Sequence, residues 1–307
     1  MPKLKRFVSF IDSNPSEKDC VDYLEKIVWK GKTPISPFDP SSKVYPCANG
    51  KWKCKNTGKY FTTKSLTIFR HSRLPLKKIF LALHFLVSRK KGIPSTQLAE
   101  DLNITQKTAW KLLNKLRNIL DQSNFIKDML KGTVEIDETY VGGSNTNRHW
   151  DKKVLHSQGR SGKDKTTMLV MIEKGGKVIV EKVSNVQKNT LELIIRANVK
   201  EGSTVYTDEW KAYKGLKKWY NHEIVNHGKK QYVNGNASTN SAENFNLQLK
   251  RTINGTYHWI SRKHAQKYAN EIAFRFNTRK NSRQERFDLA LSSAVGKHLT
   301  YGELVIS

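Results

Sequence analysis

Apolar positions change their period several times along the chain. Residues 14–29, "NPSEKDCVDYLEKIVW", place Val21, Leu24, Ile27 and Val28 on one helical face, with Ser16 as cap. From 31 to 64 that period is lost. Gly, Pro, Ser and Asn are scattered among strand-like pieces such as "KWKCKNTGKYFTT", which predicts a small turn-rich module. Helical spacing returns from 65 to 122. "PLKKIFLALHFLVSRK" starts a helix at Pro75 and has a broad apolar face. In "IPSTQLAEDLNITQKTAWKLLNKLRNIL", Ser95 or Thr96 caps a helix over 97–102, Asn103-Ile104-Thr105 turns, and a second helix runs over 106–120. Leu98, Ala99, Leu102, Ile104, Ala109 and Leu112 are spaced to pack the two helices across that turn, a helix-turn-helix signature.

Beyond 130 the texture becomes strands separated by glycine turns. "TVEIDETYV" is one strand, and "TTMLVMIEKGGKVIVEKVS" reads as a hairpin around Lys174-Gly175-Gly176-Lys177. "NTLELIIRANV" predicts a helix, and "STVYTDEW" and "HEIVNH" predict strands. "STNSAENFNLQLKRTI" opens another helix, and "SRKHAQKYANEIAFRFNTRK" is a long basic one. This order describes a mixed sheet flanked by helices, of α/β or α+β class.

Charge narrows the partner. Lys and Arg number 55 against 27 Asp and Glu, a net +28, and the pI is near 9.9. Spread along the whole chain, this excess favours nucleic acid over a local membrane patch, although a ribosomal-type binder would be as basic. Exposed positions for reading DNA are Gln106, Lys107, Thr108, Trp110 and Lys111, on a helix made basic by Lys107, Lys111, Lys115 and Arg117. Cys20, Cys47 and Cys54 make neither a disulfide framework nor a full zinc site. The apolar run "IFLALHFLV" is too short to span a bilayer, and "MPKLKRFVSF" lacks the features of a signal peptide. A reducing, cytoplasmic, nucleoid-associated setting without membrane contact is expected.

Against this basic background, carboxylates stand at strand centres or helix starts in few places. Asp137 lies mid-strand, Asp208 ends a strand, and Glu243 sits in the first turn of a helix, with Lys250 seven residues on and Arg251 next. Converging at one sheet edge, these acids suit a pair of Mg²⁺ or Mn²⁺ ions, which serve in-line phosphoryl transfer. Lys250 would reach toward the DNA phosphate. Taken singly, Asp208 is equally a turn former and Glu243 a complement to the helix dipole. Glu135 and Glu138 are read as solvated groups on the face opposite Asp137, and Glu209 as the lesser neighbour of Asp208. "GRSGKDKT" has the wrong glycine spacing for a nucleotide-binding loop, which leaves Lys163 and Lys165 as DNA contacts. His222 and His227 are read as surface or DNA-contacting residues.

"VEIDETYVGG", "GRSGKDKT", "EGSTVYTDEWKAYKGL" and the stretch from "NHEIVNH" through "SAENFNLQLKRTINGTYHWISRKHAQKYANEIAFRFNTR" resemble insertion-sequence transposases of the ISXO2-like (IS1595) type. The resemblance implies an RNase H-like fold and a DDE-type reaction with two metal ions. Asp137, Asp208 and Glu243 fall on the three acids and Lys250 on the basic residue after them. The third position varies in that family between Glu, Asn and His, so Asn240 competes with Glu243. Glu271, Arg275 and Arg279 line one face of the last long helix, in a bracing or DNA-phosphate role. Relatives carry a Cys₄ zinc ribbon. Here Ser36-Pro37-Phe38-Asp39 and Cys54-Lys55-Asn56-Thr57 stand at the two knuckles, so no structural zinc is expected. Trp52, Tyr60 and Phe61 are expected to hold the module, with Cys20 buried on its helix.

The implied organisation is a helical segment (1–33), a degenerate zinc-ribbon-like module (34–64), a helix-turn-helix region (65–128), an RNase H-like domain (129–285) and a tail (286–307). The implied function is binding of terminal inverted repeats in double-stranded DNA, 3′-end hydrolysis and strand transfer, by at least a dimer on DNA. A catalytically silent, domesticated DNA-binding regulator is the alternative.

Overall fold

The computed structural model describes residues 15–143, 148–155, 164–225 and 239–306. The chain forms two compact units, one from Asp121–Thr278 and one from the segments on either side of it.

In the flanking unit, the helix Glu17–Trp29 starts with a capping box between Ser16 and Asp19. Strands β1 (Val44–Cys47), β2 (Lys51–Cys54) and β3 (Tyr60–Thr62) form an antiparallel sheet in that order. Its interior differs from the expected trio. Phe61 is buried and meets Phe38 edge-on at 6.2 Å. Trp52 packs on Trp29 at 5.5 Å and donates from its indole nitrogen to Glu25. Tyr60 is 56% exposed, because β3 alternates and Phe61 takes the inward position.

Three helices follow: Leu76–Ser88, Ser95–Leu102 and Gln106–Ile119. The second starts at Ser95, with Pro94 in the cap position, so neither Ser95 nor Thr96 caps it. Asn103 adopts the left-handed conformation at its end (φ 47°), and Thr105 caps the next helix by accepting from the Thr108 backbone. Leu98, Ala99, Leu102, Ala109 and Leu112 are buried together across this turn. The helix Arg283–Ser292 runs through the boundary expected at 285, and its Phe287 packs on Phe80 and Tyr23 of the same unit.

The other unit is built on β4 (Thr133–Val141), β5 (Thr166–Glu173), β6 (Val178–Val183), β7 (Thr204–Thr207) and β8 (Asn221–Ile224), in the order β6-β5-β4-β7-β8. β4, β5 and β6 pair antiparallel, while β7 runs parallel to both β4 and β8. Alternation divides the core between two faces. Val141, Met168 and Val170 pack with Phe245, Leu249 and Ile272, whereas Val134, Ile136 and Leu169 pack with Leu191, Ile195 and Leu216. The outer edge of β6 is covered by side-chain amides. Asn277 bonds the backbone N–H and C=O of Val178, Gln122 does the same at Val180, and Gln266 accepts from the Lys182 N–H. This is a mixed α/β unit. Among the described residues, no helix is long and apolar enough to cross a membrane.

Candidate active site

The parallel pairing of β7 with β4 sets Thr204, Val205 and Tyr206 beside Thr133, Val134 and Glu135. Carried forward by two residues, that register brings Asp208 alongside Asp137. Carboxylate oxygens of Asp137, Glu138 and Asp208 lie within 4.8 Å of one another. Asp208 is steadied by the Trp210 backbone N–H, which donates to its Oδ1 at 3.0 Å. Asp137 faces the helix Asn240–Thr252, where Asn246 donates from Nδ2 to its Oδ2 at 2.7 Å. Burial, with the charges of Asp208 and Glu243 adding to it, pushes the Asp137 carboxyl up to about 6.

Two glutamates depart from the sequence expectation. Glu135 is two residues from Asp137, so alternation puts it on the same face, under the helix. It is fully buried and accepts from the backbone N–H of Ser241 (2.7 Å) and Ala242 (3.0 Å) and from the Ser241 hydroxyl (3.0 Å). Glu138 does point to the other face, yet it is half-buried there. Burial pushes its carboxyl up to about 7, against the opposite pull of the Tyr213 hydroxyl, and its Oε1 is buried without a hydrogen-bond partner. The sequence signal for Glu135 was its even spacing from Asp137. For Glu138, mid-strand between Asp137 and Thr139, the sequence carries no such signal.

Glu243 lies in the first helical turn, where Thr239 donates to it at 3.3 Å. It lines a cleft of 610 Å³ together with Asp137, Glu138, Asp208, Asn246, Lys165 and Lys250. Asn240 is exposed at the first helical position, outside that lining. The Oδ1 of Asn246 is buried there without a partner, although the residue is only 6% exposed.

The remaining basic positions divide by burial. Gln106 and Lys107 are exposed at the start of their helix, and Gln106 donates to the Ser95 hydroxyl at 2.9 Å. Thr108, Trp110 and Lys111 are half-buried. Lys115 is also half-buried, with its pKa lowered by desolvation, and Arg117 is 1% exposed, because both turn inward from the helix surface. Arg251 and Arg279 are exposed. Arg275 is not available for phosphate: it is buried in an ion pair with Glu271, which also accepts from the Tyr257 hydroxyl. A helical-face argument cannot separate an outward Arg from one spent on an acid one turn away. His222 is likewise buried rather than on the surface. It shares a hydrogen bond with Thr207 at 2.8 Å, and burial, then Lys217, lowers its pKa to about 4. Lys163 and His227 lie outside the described residues.

In the ribbon-like sheet, Cys54 is fully buried. Burial works to raise its thiol, but the hydroxyls of Ser36, Ser42 and Thr57 together hold it down, at about 6. Asp39 accepts instead from Ser41 and from the Asn56 amide.

A family model described as the ISXO2-like transposase domain matches residues 129–277, the segment that carries the acid cleft. This is a class of transposases. An uncharacterized transposase-like protein of Haemophilus influenzae is 35% identical over 102 residues, covering 33% of this chain and 81% of that one. An uncharacterized protein in transposable element ISH50 of Halobacterium salinarum is 28% identical over 212 residues, covering 66% of this chain and 70% of that one. The chain belongs to the ISXO2-like transposase family. Solved structures it resembles include the Mos1 transposase paired-end complex with left transposon end (15% identity, 72% of this chain and 80% of that one, TM-score 0.24). Another is the mariner Mos1 paired end complex with Mg (13%, 71% and 79%, TM-score 0.27).

Proposed function

We propose that this chain is the transposase of an insertion sequence, which binds terminal inverted repeats in double-stranded DNA and cuts and joins strands by in-line phosphoryl transfer. The observation that carries the reading is the convergence of Asp137, Glu138 and Asp208 within 4.8 Å at one sheet edge, in a chain of net charge +28. The strand order β6-β5-β4-β7-β8, with its antiparallel and parallel halves, supports an RNase H-like unit.

Divalent ions fit the oxygen donors of this cleft. Burial, with the charges of the neighbouring acids added, raises the carboxyls of Asp137 and Glu138, and the buried Oε1 of Glu138 and Oδ1 of Asn246 are without partners. Asp137, Asp208 and Glu243 would hold two Mg²⁺ or Mn²⁺ ions, with Glu138 beside them. Bound there, the ions would neutralise charge on the attacking and leaving oxygens. Asn246 fixes the rotamer of Asp137. Lys250 and Lys165, lining the same cleft, meet the negative phosphate. In the first step water attacks the phosphorus at the element's end and the 3′-oxygen leaves. In the second, the freed 3′-OH attacks a phosphorus of the target, displacing its 3′-oxygen.

Gln106, Lys107, Thr108, Trp110 and Lys111 would read DNA from the helix-turn-helix, and Arg251 and Arg279 would meet phosphates. Handling two ends requires at least a dimer on DNA. The ribbon stands without zinc, since hydroxyls surround Cys54 where thiolates would be needed.

The test is a strand-transfer assay with Mg²⁺ or Mn²⁺ on DNA carrying the terminal repeat, comparing the native chain with Asp208→Ala and Asn240→Ala. Joined product lost in the first variant and kept in the second supports the reading with Glu243 as third acid. Sequence-specific binding with no cleavage in either metal turns it toward a silent DNA-binding regulator.

A further inference from the structure

A second cavity, of 440 Å³, adjoins the acid cleft and shares Tyr140 and Lys165 with it. Its character is the reverse. Among the described residues, Lys165, Lys182 and Arg262 are its charged groups and no carboxylate lines it, while Thr167 and Ser184 add hydroxyls. The sheet explains its course. Tyr140 pairs with Thr167 and Thr167 with Val183, so a row runs across β4, β5 and β6 away from the acids. Lys182 and Arg262 are both exposed, and Lys182 Nζ donates to the Arg262 carbonyl at 3.5 Å, which holds the two residues side by side.

Tyr140, at the border of the two cavities, is three residues beyond Asp137 on one strand, roughly 10 Å at the usual rise. That corresponds to about two or three nucleotides at the 3.4 Å rise of a DNA strand. A cation-lined cavity at that offset from an acid-lined one has the charge pattern of a strand track. One pocket takes the reacting phosphate with its metal ions, and the next takes a phosphate that stays intact.

Resting on the transposase reading, we propose that the Lys165–Lys182–Arg262 cavity is a subsite for one phosphodiester of the bound DNA strand, two or three nucleotides from the bond that reacts. Lys182 and Arg262 neutralise that phosphate, and Lys165 lies at the border, able to serve either pocket. The subsite holds the strand in register with the acids and reads no base.

The test places a single neutral methylphosphonate linkage at each position near the end of a duplex carrying the terminal repeat. Binding to the full-length native chain and to Lys182→Ala/Arg262→Ala is then measured without divalent ions. Both substituted side chains are exposed, so the variant keeps its core. The expected result is one linkage, two or three nucleotides from the cleaved bond, whose neutralisation weakens native binding about tenfold and the variant's hardly at all. Losses that simply add at every linkage overturn the subsite, and Mn²⁺-dependent joining by the same native preparation then keeps the transposase reading standing. A native chain that neither binds nor joins this DNA overturns both.

Discussion

Glu135 on β4 and Ser241 at the start of the helix Asn240–Thr252 are joined twice, through the serine's backbone N–H at 2.7 Å and its hydroxyl at 3.0 Å. A carboxylate from the strand that bears Asp137 thus satisfies the open N–H groups of the helix that bears Glu243. The first and third acids of the proposed site are held in register by a fourth, whose oxygens accept from the helix start. Replacing Glu135 by Ala leaves two buried backbone donors and a hydroxyl without their acceptor. The expected loss is about 2–4 kcal/mol of stability, read by urea unfolding. Glu135→Gln keeps part of the cap, and it is expected to fold while joining DNA more slowly at saturating Mg²⁺. Joining at the native rate would show that the cap serves stability alone.

Burial raises the carboxyls of Asp137 and Glu138, and the charge of Asp208 adds to both, so without metal the cleft strains the fold. Asp208→Ala is therefore expected to melt higher than the native chain in chelator, by roughly 2–4 °C for each kcal/mol relieved. It should also lose the further rise that Mg²⁺ gives the native protein. Differential scanning fluorimetry with and without Mg²⁺ checks both. A variant still stabilised by Mg²⁺ to the native extent would remove Asp208 from the ion site.

Arg275 and Glu271 form a buried pair one helical turn apart. Arg275→Ala takes the guanidinium from a buried carboxylate that also accepts from Tyr257, and a loss of about 3–5 kcal/mol is expected. The dependence of DNA affinity on salt should not change in any variant that stays folded, because this guanidinium meets no phosphate. A salt slope lowered by about one would return Arg275 to the DNA surface.

Glu181 offers a pH test away from the acid cleft. Burial, then the charge of Asp121, pushes its carboxyl from 4.5 up to about 7. Between those values the folded chain binds more protons than the unfolded one. Its contribution to stability is therefore full below about 4.5 and is lost as pH rises through 7. Glu181→Gln should match the native chain at pH 4.5 and melt higher at pH 8. Equal melting temperatures at pH 8 would mean that the carboxylate is relieved by solvent.

The convergence of Asp137, Asp208 and Glu243 on one cleft was legible because each acid breaks a pattern, mid-strand, at a strand end and at a helix start. The mixed sheet followed from the same periods. What escaped was decided by partners distant in sequence. Glu135 is neutralised by a helix that begins more than a hundred residues later, and Glu138 is drawn in beside Tyr213. Arg275 has the spacing of a surface residue and the burial of a core one. In the small sheet, Trp52, Tyr60 and Phe61 look alike by composition, and only the alternation of β3 sends Tyr60 out and Phe61 in.

The amides of Asn277, Gln122 and Gln266 occupy the backbone at Val178, Val180 and Lys182, alternate residues along the free side of β6. A strand from another molecule would have to displace these amides to pair there. Along that border the sheet ends in its own side chains, so a neighbouring copy cannot simply extend it into a continuous ribbon.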